Sequence, residues 1–238
     1  MARLGFFSGW RILSHAFRRS PRRARWHVFG RYLTCPLRRV LEHLPREARL
    51  LDLGAGHGIF AHLALASGAR RAVALEPDRR KQFPPAARPG LCPVVGYAAA
   101  VAGTFDAVSI LDVLYRLPAD EWPRMLAAAH DRLRPGGVLL LKEIDPEDRL
   151  KGAWNRLQER LVDLVGLTLG DAFTYEPPGR MRERLTAAGF AAVETIPLGR
   201  GYPHAHVLYV ARRGARPPVL TAAPSSVPTP PGSARPGT

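Results

Sequence analysis

The chain has 238 residues, 46% of them hydrophobic, enough for one full core and short for two. Its two cysteines, Cys35 and Cys92, stand far apart and exclude both a disulfide framework and a CxxC metal site. The formal net charge of +15 lies on the flanks: residues 1–50 carry 12 Lys/Arg against 2 Asp/Glu, residues 51–210 carry 19 against 18, and residues 211–238 carry 4 against none.

The first predicted element is a helix. Phe6, Trp10, Leu13 and Phe17 recur at helical spacing, with Arg3, Arg11, Arg18 and Arg19 around them. Such a helix either packs on the domain with its arginines in water or lies on an anionic membrane surface through residues 1–25. An Arg-rich, acid-poor leader also fits an organelle transit segment. Arg11 interrupts the apolar run and no small-residue cleavage pattern follows, which argues against a cleaved signal.

RLLDLG, from residue 49, is a short apolar run of the kind that forms a central parallel strand covered on both faces. IFAHLALASG follows as a helix ending at Gly68. RRAVALE is the second strand, LCPVVG a weak third and FDAVSILDV a strong fourth. DEWPRMLAAAHDRLRPGG is expected to be a helix of about four turns closed by a Pro-Gly-Gly turn, before a fifth strand, VLLLKEI. Residues 150–170 place Leu150, Trp154, Leu157, Leu161 and Leu164 on one helical face, with Trp154 and Asn155 as candidate substrate-lining residues. PGRMRERLTAAG is a further helix, FAAVETI the sixth strand and HAHVLYVAR the last. Strands alternating with helices predict an α/β, doubly wound sheet with helices on both faces. From Gly214 the chain has no aromatic residue and too little apolar surface to order itself.

Chemistry concentrates where the first strand meets its helix. Gly54, Gly56 and Gly58 let the backbone turn sharply and approach a ligand closely. The spacing is GxGxG, whereas a dinucleotide loop is GxGxxG and aims a helix N-terminus at a pyrophosphate. Taken alone, such a loop is equally compatible with an ordinary strand-to-helix turn. Glu76, at the end of the second strand and followed by Pro77, is placed to accept both hydroxyls of a ribose as charge-assisted hydrogen bonds. Asp52 ends the first strand and can brace the turn or meet a ligand ammonium group.

LLDLGAGHG, VALEPD, FDAVSILDVLYRL and HDRLRPGGVLLLKE, in this order and spacing, resemble the successive motifs of class I S-adenosylmethionine-dependent methyltransferases. The resemblance covers about residues 40–212. It implies a mostly parallel seven-stranded sheet whose antiparallel last strand inserts beside the fifth. It also implies that Gly54, Ala55 and Gly56 pass under the methionyl part of S-adenosylmethionine, with Gly58 closing the bend, Asp52 supporting it and Glu76 holding the ribose. Asp112 and Val113 then border the methyl group. Many relatives carry an acidic residue after the third strand for the adenine amino group; this chain has Tyr97 or Ala98 there. The domain division expected is a basic helical extension over 1–45, the methyltransferase domain over 46–213 and a disordered Pro-rich tail over 214–238.

Catalytic candidates are sought at the carboxyl ends of the strands. Glu143 ends the fifth strand and Tyr115 follows the fourth. An antiparallel last strand would bring Tyr202, His204 and His206 near Glu143, where a His–carboxylate pair could serve as general base for an oxygen or carbon nucleophile. The same residues are weak evidence for a metal, and none is expected. His57 is expected to face solvent or to lie near the carboxylate of the cofactor, and His62 and His130 to be surface or packing residues. The acceptor expected is a small molecule or lipid intermediate, and the compartment cytoplasmic, with the inner face of the membrane as its peripheral variant. A nicotinamide oxidoreductase lacks its GxGxxG loop here. A nucleic-acid methyltransferase lacks the (N/D)PPY run after the fourth strand and a basic binding face. A non-catalytic binding module on the same fold is the remaining alternative.

Overall fold

A computed structural model of the chain describes residues 4–81, 88–146 and 174–214. Seven strands form one sheet: β1 (Arg49–Leu53), β2 (Arg71–Glu76), β3 (Leu91–Val95), β4 (Phe105–Leu111), β5 (Leu133–Ile144), β6 (Phe190–Pro197) and β7 (His206–Arg213). Their order is β3-β2-β1-β4-β5-β7-β6. The first five pair in parallel, and β7 lies antiparallel between β5 and β6, with Glu143 opposite Val207. The expected doubly wound α/β sheet with an inserted antiparallel last strand is therefore present.

Strand alternation divides the core into two layers. Leu50, Ala74, Ala107, Leu140 and Leu208 face α1 (Phe6–Ala16), α2 (Arg22–Thr34), α3 (Leu37–Leu41) and α4 (Ile59–Ala66). Leu51, Val108, Leu139, Val207 and Tyr209 face α5 (Trp122–Arg132) and α6 (Pro178–Ala187). Central strands buried on both faces need continuously apolar sequences, which is why RLLDLG and VLLLKEI were legible. β3 was weak because it is an edge strand, partly exposed and interrupted by Pro93, a residue tolerated only where a ladder bond can be spared.

One expectation is corrected and one alternative is decided. The helix of about four turns foreseen from residue 120 is shorter, running from Trp122 to Arg132, and the Pro-Gly-Gly turn expected after it falls at a register shift between β4 and β5, where Phe105 pairs with Leu133 and Ala107 with Val138. Gly136 there has φ +75°, which a continuing helix does not accommodate. Of the two readings of the amino-terminal helix, packing on the domain is observed, with Leu13 and Phe17 fully buried and the Phe17 ring 5.6 Å from His62. His62 is accordingly a core histidine, and burial pulls its pKa down to about 4. The predicted 150–170 helix, with Trp154 and Asn155, and the tail beyond Gly214 lie outside the described residues. No helix among the described residues is long and apolar enough to cross a membrane.

Candidate functional site

A cleft of about 610 Å³ opens at the carboxyl ends of β1, β2 and β4. Its floor is the bend after β1, where Gly54, Gly56 and Gly58 have φ +70°, +57° and +73°. A side chain at position 54 would put its Cβ 2.6 Å from Val113 Cγ2, so glycine is required there both by backbone and by space. Gly54 and Ala55 donate their N–H groups to the Leu75 carbonyl at 2.9 and 3.0 Å, tying the bend to the end of β2. Gly58 does not line the cleft; it is the residue from which α4 starts.

Glu76 stands beside the bend, 3% exposed. Its Oε2 accepts the Gly56 N–H at 2.8 Å, and its Oε1 accepts the Asp78 N–H at 3.1 Å and Lys81 Nζ at 3.0 Å. A carboxylate offers about four acceptor positions, so one remains free and a second is held only by a lysine side chain that is 37% exposed. Asp52 is buried at the cleft floor and accepts the Ser109 hydroxyl at 2.6 Å. Burial pushes its pKa up to about 7, and the Ser109 hydrogen bond opposes that shift without cancelling it. A cation bound against Asp52 would restore the charged form.

The opposite wall follows β4. Asp112 has φ +58°, uncommon for a residue with a Cβ. It is pinned from two sides, by the fully buried Lys142 ammonium and by Arg31 of α2 at 2.8 Å. Burial alone would raise the Asp112 carboxyl; the Lys142 and Arg31 cations overcome it and hold it well below the usual range. The Cys35 thiol also points at Asp112, 3.6 Å away. Tyr97, 76% exposed, and Ala98 of the short 3-10 turn Ala98–Ala100 form the rim beyond β3.

Ten of the sequence-derived cofactor candidates thus line one cleft: Asp52, Gly54, Ala55, Gly56, Glu76, Pro77, Tyr97, Ala98, Asp112 and Val113. The three catalytic candidates, Glu143, His204 and Tyr115, are not on its wall. Glu143 and His206 belong to opposite faces of the sheet, because the odd positions of β5 share a layer with Leu139 and Leu141 whereas the even positions of β7 share one with Leu208 and Val210. The expected His–carboxylate juxtaposition is therefore not formed by this pair. Glu143 Oε1 instead accepts the Val113 and Leu114 N–H groups at 3.2 and 3.0 Å, while Oε2 is buried without a partner among the described residues. Burial and the nearby Asp112 charge push the Glu143 pKa up to about 8, so at neutral pH it is mainly a neutral carboxyl that braces the loop after β4. His206 Nε2 lies 2.9 Å from the Thr34 carbonyl, burial lowers its pKa to about 3, and the His204 ring sits 5.8 Å from it. Tyr115 is half-buried; its ring is stacked 5.6 Å from Tyr175, and Arg116 Nε donates to its hydroxyl at 2.9 Å.

Sequence reasoning missed His27 and Arg31, which line the cleft from α2. Nothing local marks them, since Asp112, the partner of Arg31, lies 81 positions away and His57, the neighbour of His27, lies in the glycine bend beyond another helix and strand. The His27 ring is 5.1 Å from that of His57, which lies in the glycine bend and has a buried Nδ1 without a partner among the described residues. Among the described residues no group of three or more His, Cys, Asp or Glu is arranged to hold a metal.

Comparison with known proteins supplies a family. Residues 25–195 match the family model described as a methyltransferase domain. No curated protein matches the sequence. Among solved structures, an S-adenosylmethionine-dependent methyltransferase from Thermotoga maritima superposes with a TM-score of 0.61 at 19% identity, over 84% of this chain and 99% of that one. The 1,6-didemethyltoxoflavin-N1-methyltransferase of Burkholderia thailandensis, solved with its substrate and S-adenosylhomocysteine, gives 0.54 at 19% identity over 88% and 91%. Human N-acetylserotonin methyltransferase, solved with S-adenosylmethionine, gives 0.60 at 16% over 90% and 63%. At such identities the likeness shows the fold.

Proposed function

The chain belongs to the methyltransferase-domain family, whose members in its structural neighbourhood depend on S-adenosylmethionine, and from that premise we propose that it methylates an oxygen or carbon of a small-molecule or lipid-intermediate acceptor. The observation that carries the reading is the cleft, in which two buried carboxylates, Asp52 and Glu76, flank a glycine bend where Val113 leaves no room for a side chain at Gly54.

These residues fit the cofactor. Bound there, S-adenosylmethionine supplies a methyl group on a sulfonium, already activated for in-line displacement. Asp52 is the acceptor for an ammonium group, and a cation beside it draws its pKa down from about 7. Glu76 takes the ribose hydroxyls on its free acceptor position and on the one Lys81 can vacate. Tyr97 and Ala98 flank the adenine end.

The chain's contribution to the transfer is alignment, which can lower a barrier by several kcal/mol, to about 7–11 at best. Glu143 serves this by holding the Val113 and Leu114 amides, and Asp112 by fixing the turn before them. Burial keeps the Tyr115 phenol above its ordinary pKa, so at neutral pH it is a hydrogen-bond donor rather than a base. The nearly neutral central segment and the small-molecule substrate of the toxoflavin relative favour a small-molecule acceptor over nucleic acid.

The test has two arms. Calorimetric titration should give saturable binding of S-adenosylhomocysteine and none of NADH. Incubation with methyl-labelled cofactor and an extract of the protein's own cells should place label in a low-molecular-mass or lipid fraction. Label confined to RNA or protein would overturn the acceptor class, and cofactor binding with no label anywhere would favour a binding module.

A further inference from the structure

Helix α2 has three working faces. Val28 and Tyr32 are buried in the core, and His27 and Arg31 line the cleft. Trp26 and Leu33, at i and i+7, form a third stripe turned away from both, and the half-buried Phe29 between them joins it to the core. Trp26 is 79% exposed and Leu33 52%.

Helix α1 continues this stripe. The Trp10 ring lies 4.4 Å from that of Phe29, and Phe7, 83% exposed, meets Phe6 edge-on at 5.5 Å. The result is an aromatic ridge crossing both helices. Around it the charge has one sign: between Phe6 and Thr34 there are seven arginines and no aspartate or glutamate. Arg31 is committed to Asp112, whereas Arg11, Arg18, Arg19, Arg22, Arg23 and Arg25 are exposed.

Large apolar side chains held in water mark a surface that meets something. A polyanion alone would use the arginines and leave Phe7, Trp26 and Leu33 wet. An apolar protein face alone would cover the ridge and leave the cations unneutralised. A bilayer with anionic headgroups satisfies both, since aromatic rings settle at the headgroup level while arginines meet the phosphates.

We propose that the α1–α2 face docks on an anionic lipid surface, with Phe7, Trp10, Trp26 and Leu33 entering the interface. Because α2 also walls the cleft, docking sets the cleft mouth beside the headgroups, where a membrane-resident acceptor can enter. The docking is independent of the reaction; only this consequence for the acceptor rests on the methyl-transfer reading.

The full chain is sedimented with vesicles of phosphatidylcholine alone and of phosphatidylcholine mixed with phosphatidylglycerol. It should partition to the mixed vesicles only, be released by salt, and show blue-shifted tryptophan emission when bound. Two variants probe the two halves of the surface. Phe7→Ser with Trp26→Ser, and Arg22→Glu with Arg23→Glu, should each weaken partitioning at least about ten-fold, at roughly 1 kcal/mol per basic side chain and more for each aromatic ring. Binding of S-adenosylhomocysteine by both variants reports that they fold. The proposal is overturned if the wild-type chain stays in the supernatant, if neutral vesicles bind it equally, or if folded variants partition unchanged. It is overturned too if an RNA oligonucleotide binds while vesicles do not, or if light scattering shows a dimer that Phe7→Ser with Trp26→Ser abolishes and no vesicle binding accompanies it. Retained docking with no cofactor binding would sink the methyl-transfer reading and leave the docking standing.

Discussion

The two walls of the cleft are built on different length scales. On the β1–β2 wall, Glu76 bonds the Gly56 amide across 20 positions of sequence, within a single strand–helix–strand unit. On the β4 wall, Asp112 is held by Lys142 at 30 positions and by Arg31 at 81, from a different strand and from an amino-terminal helix. The first wall, the ligand cradle of the proposed reading, has groups that keep spare hydrogen-bonding capacity. The second is a structural clamp, in which a carboxylate at positive φ is consumed by two cations and can offer a ligand little more than its position.

That contrast is open to breakage at several points, the largest first. Asp112→Ala should destabilise the fold by about 3–5 kcal/mol, because it leaves the fully buried Lys142 ammonium without a counter-charge. Urea denaturation would measure it. Adding Lys142→Met should recover most of the loss, and if the single variant is as stable as the wild type, the clamp is not one. Arg31 matters less, since about a quarter of its side chain already reaches water.

Glu76→Ala should leave stability closer to normal and act on the cradle. Charge-assisted hydrogen bonds contribute about 1.5–3 kcal/mol, so the dissociation constant for S-adenosylhomocysteine should rise roughly ten- to a hundred-fold. An unchanged constant would mean that the cradle lies elsewhere.

The smallest effect is a pH dependence. Glu143 ordinarily titrates near 4.5 and in the folded chain near 8, so between these values the folded state holds a proton that the unfolded state has lost. Stability from this group is complete below the lower value and declines as pH rises through the upper one. Asp52 has the same sign but completes most of its change by about pH 7, and His27, His57, His62 and His206, all lowered by burial, have the opposite sign and are mostly spent above their ordinary 6.5. In the window from pH 7 to 8 Glu143 is the largest single contributor, with a fall of about 1 kcal/mol. Glu143→Gln should flatten that window, and a slope unchanged by the substitution would show that another group titrates there.

What could be read beforehand follows the same division. RLLDLG announced a strand buried on both faces, the three glycines announced a tight bend, and Glu76 lay one helix further on; each needed only neighbours that are close in sequence. The roles assigned to Glu143 and His204 needed more. Strand parity placed Glu143 and His206 on opposite faces, and parity across β5 and β7 depends on a register that forms only when the last strand inserts.

The amino-terminal segment makes the point most plainly. Its periodicity predicted a helix, and Phe6–Ala16 is one, yet residues 1–45 were read as an extension of the domain, and α2 supplies His27 and Arg31 to the cleft. Sequence by itself determined the elements, their alternation and the glycine–carboxylate cradle, because those rest on local backbone geometry and on the burial of central strands. Only the tertiary structure decided which charges neutralise one another and which helix covers the site, because a buried ion pair depends on distances that the chain sets when it packs.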